Sequence, residues 1–119
     1  MVVRGRRLLV VDDEADMLDF VERVFRREYE VRRALSVDEA LVVLATETVD
    51  VLITDQRMPR KSGIELLARA AELQPHAVRL LLTGYAELAR VEGADAYVTK
   101  PADADTLKQA VADAQRRRA

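Results

Sequence analysis

The sequence predicts an α/β domain in which βα units surround a parallel sheet, and three observations carry that prediction. From residue 8 onward, short β-branched or leucine-rich runs alternate with segments whose apolar residues recur at helical spacing. Four of the runs end on a reactive polar residue: Leu8 to Val11 on Asp12-Asp13, Val51 to Thr54 on Asp55, Leu80 to Leu82 on Thr83, and Tyr97 to Thr99 on Lys100-Pro101. Two helix starts carry a capping box, Ser36-Val37-Asp38-Glu39 and Ser62-Gly63-Ile64-Glu65, in which the serine hydroxyl accepts from a free backbone N–H and the glutamate reaches back.

Five units follow one another. A first strand is expected near residues 7–12 and a first helix near 14–27, with Met17, Leu18, Val21, Val24 and Phe25 on one stripe. The second strand, near 30–34, reads Glu30-Val31-Arg32-Arg33-Ala34; it is short and half charged, which suits an edge strand with one wet face. Its helix spans about 36–46 and opens at the first capping box. A third strand near 49–54 leads to a helix near 63–73 with Ile64, Leu67, Ala68 and Ala71 as its stripe. The fourth strand falls near 78–82. Between Thr83 and Tyr97 only Leu88, Ala89 and Val91 offer a helical stripe before Glu92-Gly93, so the fourth helix should be one or two turns. A fifth strand near 96–99 precedes a last helix near 104–116 that turns Leu107, Ala110, Val111 and Ala114 inward. Arg116-Arg117-Arg118 finish it, where cations favour the negative end of the helix dipole.

At 119 residues the chain is expected to form one domain over residues 1–119, since a domain takes ~100 to 200 residues. Half of the residues are hydrophobic, enough for a core, and 34% are charged, which is ordinary for a wet surface. Nineteen basic residues against 21 acidic ones give a formal charge of −2, so the broad positive field that drives nucleic-acid affinity is missing and binding of nucleic acid by this domain is disfavoured. There is no cysteine, which removes disulfides and thiolate metal sites. No apolar stretch could span a bilayer, and acids follow a very short apolar run at the start, so no membrane association and a cytoplasmic location are expected.

If the runs are parallel strands, their carboxyl ends share one edge, where open α/β sheets bind ligands. Singly, each polar residue has an ordinary structural explanation: Asp12 and Asp13 as helix-start acids, Asp55 and Thr83-Gly84 as turn residues, Lys100 as a surface lysine. The coincidence of all of them is what needs explaining. Only three of the 19 basic residues are lysines, and one stands at this strand end, where a compact ammonium suits a point contact to an anion. Three crowded carboxylates repel unless neutralised, and a divalent cation is the natural remedy. Oxygen-only ligation with a phosphate completing the shell suits Mg²⁺, while the missing cysteine and clustered histidine argue against zinc. Mg²⁺ and an opposing lysine would collect a phosphoryl group between them. His76, after Pro75, reads as an exposed loop histidine, and Met58-Pro59 as a turn.

Taken in order, these residues resemble the receiver domain of two-component response regulators, over essentially the whole chain. The matching elements are Asp12-Asp13, Asp55 with Gln56-Arg57-Met58-Pro59 and Ser62-Gly63-Ile64-Glu65-Leu66-Leu67, Leu82-Thr83-Gly84, Tyr97 and Lys100-Pro101. The resemblance implies a doubly wound, five-stranded parallel sheet of flavodoxin-like order 2-1-3-4-5, helices on both faces and a shortened fourth helix. It also implies a phosphorylation-dependent signalling switch that catalyses only its own phosphorylation and dephosphorylation. Asp55 would attack the phosphorus of a phosphohistidine on a sensor histidine kinase or phosphotransfer protein; the output partner stays unidentified. Asp13 and Asp55 would bind Mg²⁺ with the backbone carbonyl of Arg57, and Asp12 would hold it largely through water. Lys100 would pair with phosphoryl oxygens, Thr83 would donate its hydroxyl to another, and Gly84 would leave the phosphate an approach. Tyr97 resembles the switch aromatic, and Pro101 would follow a cis peptide bond.

The step from Thr83 to Lys100 is shorter than the family's habit by more than one helical turn of ~3.6 residues. An intact site with an altered output surface, and without the family's common symmetric dimer, is therefore expected. Tyr85 and Arg57 flank the site and could tune loss of the phosphoryl group. Two other readings are a receiver-like interaction module that works whatever its phosphorylation state, and an unrelated α/β phosphatase. The phosphatase would need a second acid two residues after its nucleophile, where Arg57 stands.

Overall fold

Strands that must be covered on both faces are apolar at nearly every position, and β1 (Arg7–Val11), β3 (Val51–Asp55) and β4 (Val78–Thr83) have that character. In the computed structural model, which describes residues 6–84 and 93–118, they form the middle of a five-stranded sheet, with β2 (Glu30–Ala34) and β5 (Ala96–Thr99) at its edges. All pairings are parallel and the order is β2-β1-β3-β4-β5, the flavodoxin-like arrangement. The half-charged β2 lies at an edge with Glu30 and Arg33 exposed, as its composition requires.

Alternation along the strands divides the core in two. Leu8, Val10, Ile53, Leu80 and Leu82 face α1 (Ala15–Phe25) and α4 (Ala104–Arg118), whose Leu18, Val21, Phe25, Leu107 and Val111 close that layer. Leu9, Val11, Leu52 and Leu81 face α2 (Val37–Thr46) and α3 (Gly63–Leu73), meeting Ala40, Leu44, Leu66 and Leu67. Each leucine fully buried this way is worth about 1.5–3 kcal/mol.

Several boundaries differ from the expected ones, for local reasons. α1 stops at Phe25, where the Arg26 N–H closes onto the Glu22 carbonyl at 2.8 Å and a turn leads to Tyr29. Val49 stays outside β3 because its N–H donates to the buried Gln74 side chain at 2.7 Å. α4 runs to Arg118, whose guanidinium and that of Arg117 donate to the carbonyls of Pro75, Ala77 and Asp95. The inward face of α3 is Gly63, Leu66, Leu67 and Ala70; Ile64 and Ala71 are only half-buried and Ala68 is exposed, so the stripe is rotated from the expected one. Ser62 and Glu65 make a complete capping box. At Ser36 one arm is realised, the Glu39 N–H donating to Ser36 Oγ at 3.1 Å, while the Glu39 carboxylate accepts from Leu35 N–H at 3.0 Å instead.

The short fourth helix expected from Leu88, Ala89 and Val91, and Tyr85 with it, lie outside the described residues. Among the described residues no helix is long and apolar enough to cross a membrane. His76 is exposed.

Candidate functional site

The parallel sheet carries Asp12, Asp55, Thr83 and Lys100 to one edge. Asp12 follows β1, held by its N–H donating to the Ala34 carbonyl at 3.1 Å, and is 1% exposed; its carboxylate accepts the Glu14 N–H at 2.9 Å as the chain turns into α1. Asp13, next in the turn, is exposed. Asp55 and Thr83 are the buried last residues of β3 and β4, and Lys100 follows β5, its N–H donating to the Thr83 carbonyl at 2.8 Å. The Lys100 ammonium stands 2.8 Å from Asp55 Oδ1 and 3.4 Å from Asp12 Oδ2. One carboxylate oxygen from each of Asp12, Asp13 and Asp55 lies within 4.8 Å of the others. The Lys100-Pro101 peptide bond is cis.

The loop after Asp55 is tied down by its own backbone. Gln56 N–H donates to the Leu82 carbonyl at 3.0 Å, its carbonyl accepts Gly63 N–H at 3.0 Å, and its side-chain Oε1 accepts Ile64 N–H at 3.0 Å, so one residue hooks β3 to the start of α3. Arg60 has φ of 74°, and Lys61 N–H donates to the Pro59 carbonyl at 2.8 Å, the hydrogen bond of a γ-turn. Lys61 then reaches Asp38 of α2 at 2.6 Å. A Cβ at residue 63 would run into the Asp55 carbonyl oxygen and lie 3.0 Å from its carbon, so glycine alone lets α3 close against the Asp55 backbone. The sequence reading assigned Gln56 and Gly63 no role of this kind. Glycine is a poor helix former, and its presence where a helix begins was the available signal.

Arg57, exposed, borders a cleft of about 450 Å³ with Asp13 and Met58. Gly84 is exposed, and a Cβ there would meet nothing within 4 Å, leaving open space beside Thr83. Tyr97 is half-buried against the α2–α3 layer. In the β4–β5 register Leu81 pairs with Tyr97 and Thr83 with Thr99, so Thr83 and Tyr97 share a sheet face.

Three carboxylates crowd this edge, and the Lys100 ammonium is bonded to two of them. Burial pushes the Asp12 carboxyl above its usual value, a rise that the Glu14 N–H and Lys100 only partly oppose. Burial also pulls on the Lys100 ammonium, but the bond to Asp55 and the fields of both acids outweigh it and hold the amine above its ordinary value. The donor set is all oxygen, and exposed Asp13 leaves water and a phosphate room to complete a shell, which fits a hard divalent cation such as Mg²⁺.

Comparison with known proteins gives a consistent answer. The family model described as the response regulator receiver domain matches residues 8–112. The hydrogenase transcriptional regulatory protein HoxA of Bradyrhizobium diazoefficiens is 36% identical over 120 residues, covering 96% of this chain and 24% of HoxA. The chain spans about a quarter of the length of the regulators HoxA, PilR and GlrR that it matches. A CheY-like receiver domain protein from Methanospirillum hungatei superimposes with a TM-score of 0.87 at 31% identity, covering 95% of both chains. The response regulator TrrA of Thermotoga maritima, solved in complex with Mg(2+)-BeF, superimposes with a TM-score of 0.82 at 32% identity over 92% of this chain and 98% of that one.

Proposed function

The chain belongs to the response regulator receiver family and is therefore a signalling module, and on that premise we propose that Asp55 is its phosphoacceptor, with residues 1–119 forming one receiver domain. Receiver domains are phosphorylated by histidine kinases. A carboxylate oxygen of Asp55 attacks the phosphorus of a kinase or phosphotransfer-protein phosphohistidine; a P–O bond forms, the P–N bond breaks, and the imidazole nitrogen leaves with the electron pair. The Asp13 and Asp55 carboxylates and the Arg57 carbonyl would hold Mg²⁺, with Asp12 acting through water, and the bound ion would supply positive charge to offset that on the transferring group.

The chain's own groups do the rest. Lys100, 2.8 Å from Asp55, exchanges that ion pair for a phosphoryl oxygen as the carboxylate is consumed. Thr83 donates its hydroxyl to a second phosphoryl oxygen, and Gly84 keeps the approach clear. Tyr97, on the same sheet face as Thr83, changes its exposure when Thr83 moves, so a local charge event alters a surface read by an output partner. A cytoplasmic location is part of the same proposal.

The observation that supports this reading is the meeting of three carboxylates and Lys100 at the carboxyl edge, from three separate segments of chain. Incubation with Mg²⁺ and acetyl phosphate followed by intact mass measurement tests it. A single phosphate adduct is expected on the parent chain and none on Asp55→Asn. An unmodified parent chain would favour the phosphorylation-independent module. Light scattering of the phosphorylated form should show no tight dimer built on α4.

A further inference from the structure

Six polar or charged side chains are buried among the described residues, and five of them have evident roles. Asp12, Asp55 and Thr83 stand at the carboxyl edge, Gln74 joins the Val49 N–H to the Leu44 carbonyl at 2.7 and 2.8 Å, and Arg79 bonds the Gly93 carbonyl at 2.7 Å. The sixth is Thr54, fully buried in β3 one residue before Asp55.

Packing alone gives no reason for a hydroxyl there. In the strand register Thr54 lies between Val11 of β1 and Leu81 of β4, both of them in the apolar layer under α2 and α3. Valine has the same branched shape and suits such a strand at least as well, while an unbonded hydroxyl in that layer would be costly. The hydroxyl is bonded: Thr54 Oγ1 donates to the carbonyl of Asp55 at 3.0 Å.

That carbonyl belongs to the peptide plane that follows Asp55, and the plane is held at its other end as well. Its N–H, that of Gln56, donates to the Leu82 carbonyl at 3.0 Å, and Gly63 closes on the oxygen. A peptide unit is rigid, so fixing its oxygen and its hydrogen fixes ψ of Asp55. Side-chain rotamers follow the backbone angles, so ψ in turn sets where the carboxylate points, here 2.8 Å from the Lys100 ammonium.

We propose, on the reading of Asp55 as phosphoacceptor, that Thr54 is its positioning residue: the hydroxyl, through the Asp55 carbonyl, keeps the carboxylate on the line that an incoming phosphorus must take. In-line transfer tolerates little misplacement of the attacking oxygen. Without the hydroxyl the donor would still bind, but the carboxylate would be aligned for less of the time. The loss therefore falls on the maximum rate of labelling and not on the donor concentration that half saturates it.

Two variants divide the side chain between them. Thr54→Val keeps the shape and removes the hydroxyl; Thr54→Ser keeps the hydroxyl and removes a methyl group from the core. The intact chain is labelled with acetyl phosphate at saturating Mg²⁺, and intact mass is followed against donor concentration. The maximum rate of Thr54→Val should fall on the order of tenfold with half-saturation unchanged. Thr54→Ser should label as the parent does, although its lost packing makes it unfold at lower urea. In the metal-free chain the carbonyl carbon resonance of Asp55 should move in Thr54→Val and return in Thr54→Ser. With the parent labelled, a Thr54→Val that labels at the parent's rate, a Thr54→Ser that labels as slowly as Thr54→Val, or an Asp55 resonance indifferent to the hydroxyl would each overturn this proposal alone. An unlabelled parent would overturn the reading of Asp55, and the role of Thr54 with it.

Discussion

The two edges of one sheet use the same residue type in opposite ways. At the amino edge, Asp50 precedes β3 and Asp95 precedes β5. Asp50 accepts the Arg7 N–H on its carboxylate at 2.7 Å while its own N–H donates to the Arg7 carbonyl at 2.8 Å; Asp95 repeats the pattern on Arg79, both at 2.7 Å. Each carboxylate closes a backbone donor that the ladder leaves over. Arg79, whose guanidinium burial pulls down, is matched there by the charge of Asp95 and the Gly93 carbonyl. At the carboxyl edge Asp12, Asp13 and Asp55 crowd together with Lys100 as the cation bonded to Asp12 and Asp55. Charge matched within the chain stabilises it, whereas charge left over is available to a ligand, at a cost in stability.

The contrast should break most severely at Gly63. Gly63→Ala forces a methyl group into the Asp55 carbonyl, so α3 or the end of β3 must shift. A loss of about 3 kcal/mol in urea unfolding is expected, together with slower labelling by acetyl phosphate. Unchanged stability would mean that the Asp55 loop yields freely. Asp95→Ala attacks the other edge and should cost about 2 kcal/mol by stranding the Arg79 N–H and removing the charge that faces its guanidinium, with labelling of Asp55 retained. Loss of labelling would show that the edges are not independent. The carboxyl edge should in turn respond to Mg²⁺, gaining about 1.4 kcal/mol at ten times the dissociation constant. Asp13→Asn should lose most of that increment, and Asp95→Ala should keep it.

Which features were legible follows from the range of the interactions behind them. Strand ends and the acids on them could be read because a parallel sheet aligns all carboxyl ends, whatever the loops do. The edge position of β2 was written in its own charges. The phase of α3 was not readable, because Ala68 and Ala71 are as apolar as Ala70 and only the approach of Gly63 to Asp55 decides which side faces inward. Nor was Arg79 readable inside the apolar run Val78 to Leu82, since its partners Gly93 and Asp95 lie in another segment. Glu39 missed its capping partner by a single residue, a choice between neighbouring N–H groups that no pattern encodes.

Asp103 offers the finest test, being an acid on the carboxyl side that behaves like those of the amino edge. Its carboxylate accepts Thr106 N–H at 2.8 Å and its carbonyl accepts Leu107 N–H at 3.1 Å, which fastens the start of α4. These hydrogen bonds hold the carboxyl below its usual range, the opposite of Asp12, which burial holds above it. A lowered folded value means that the stabilisation is full above the ordinary value near ~3.9 and is lost as pH falls through the lowered one. Asp103→Ala should therefore lower the unfolding midpoint slightly at neutral pH, and the gap from the parent should close as the solution is made more acid than that. A gap that stayed constant across the acid range would assign the effect to backbone conformation rather than to the charged hydrogen bond.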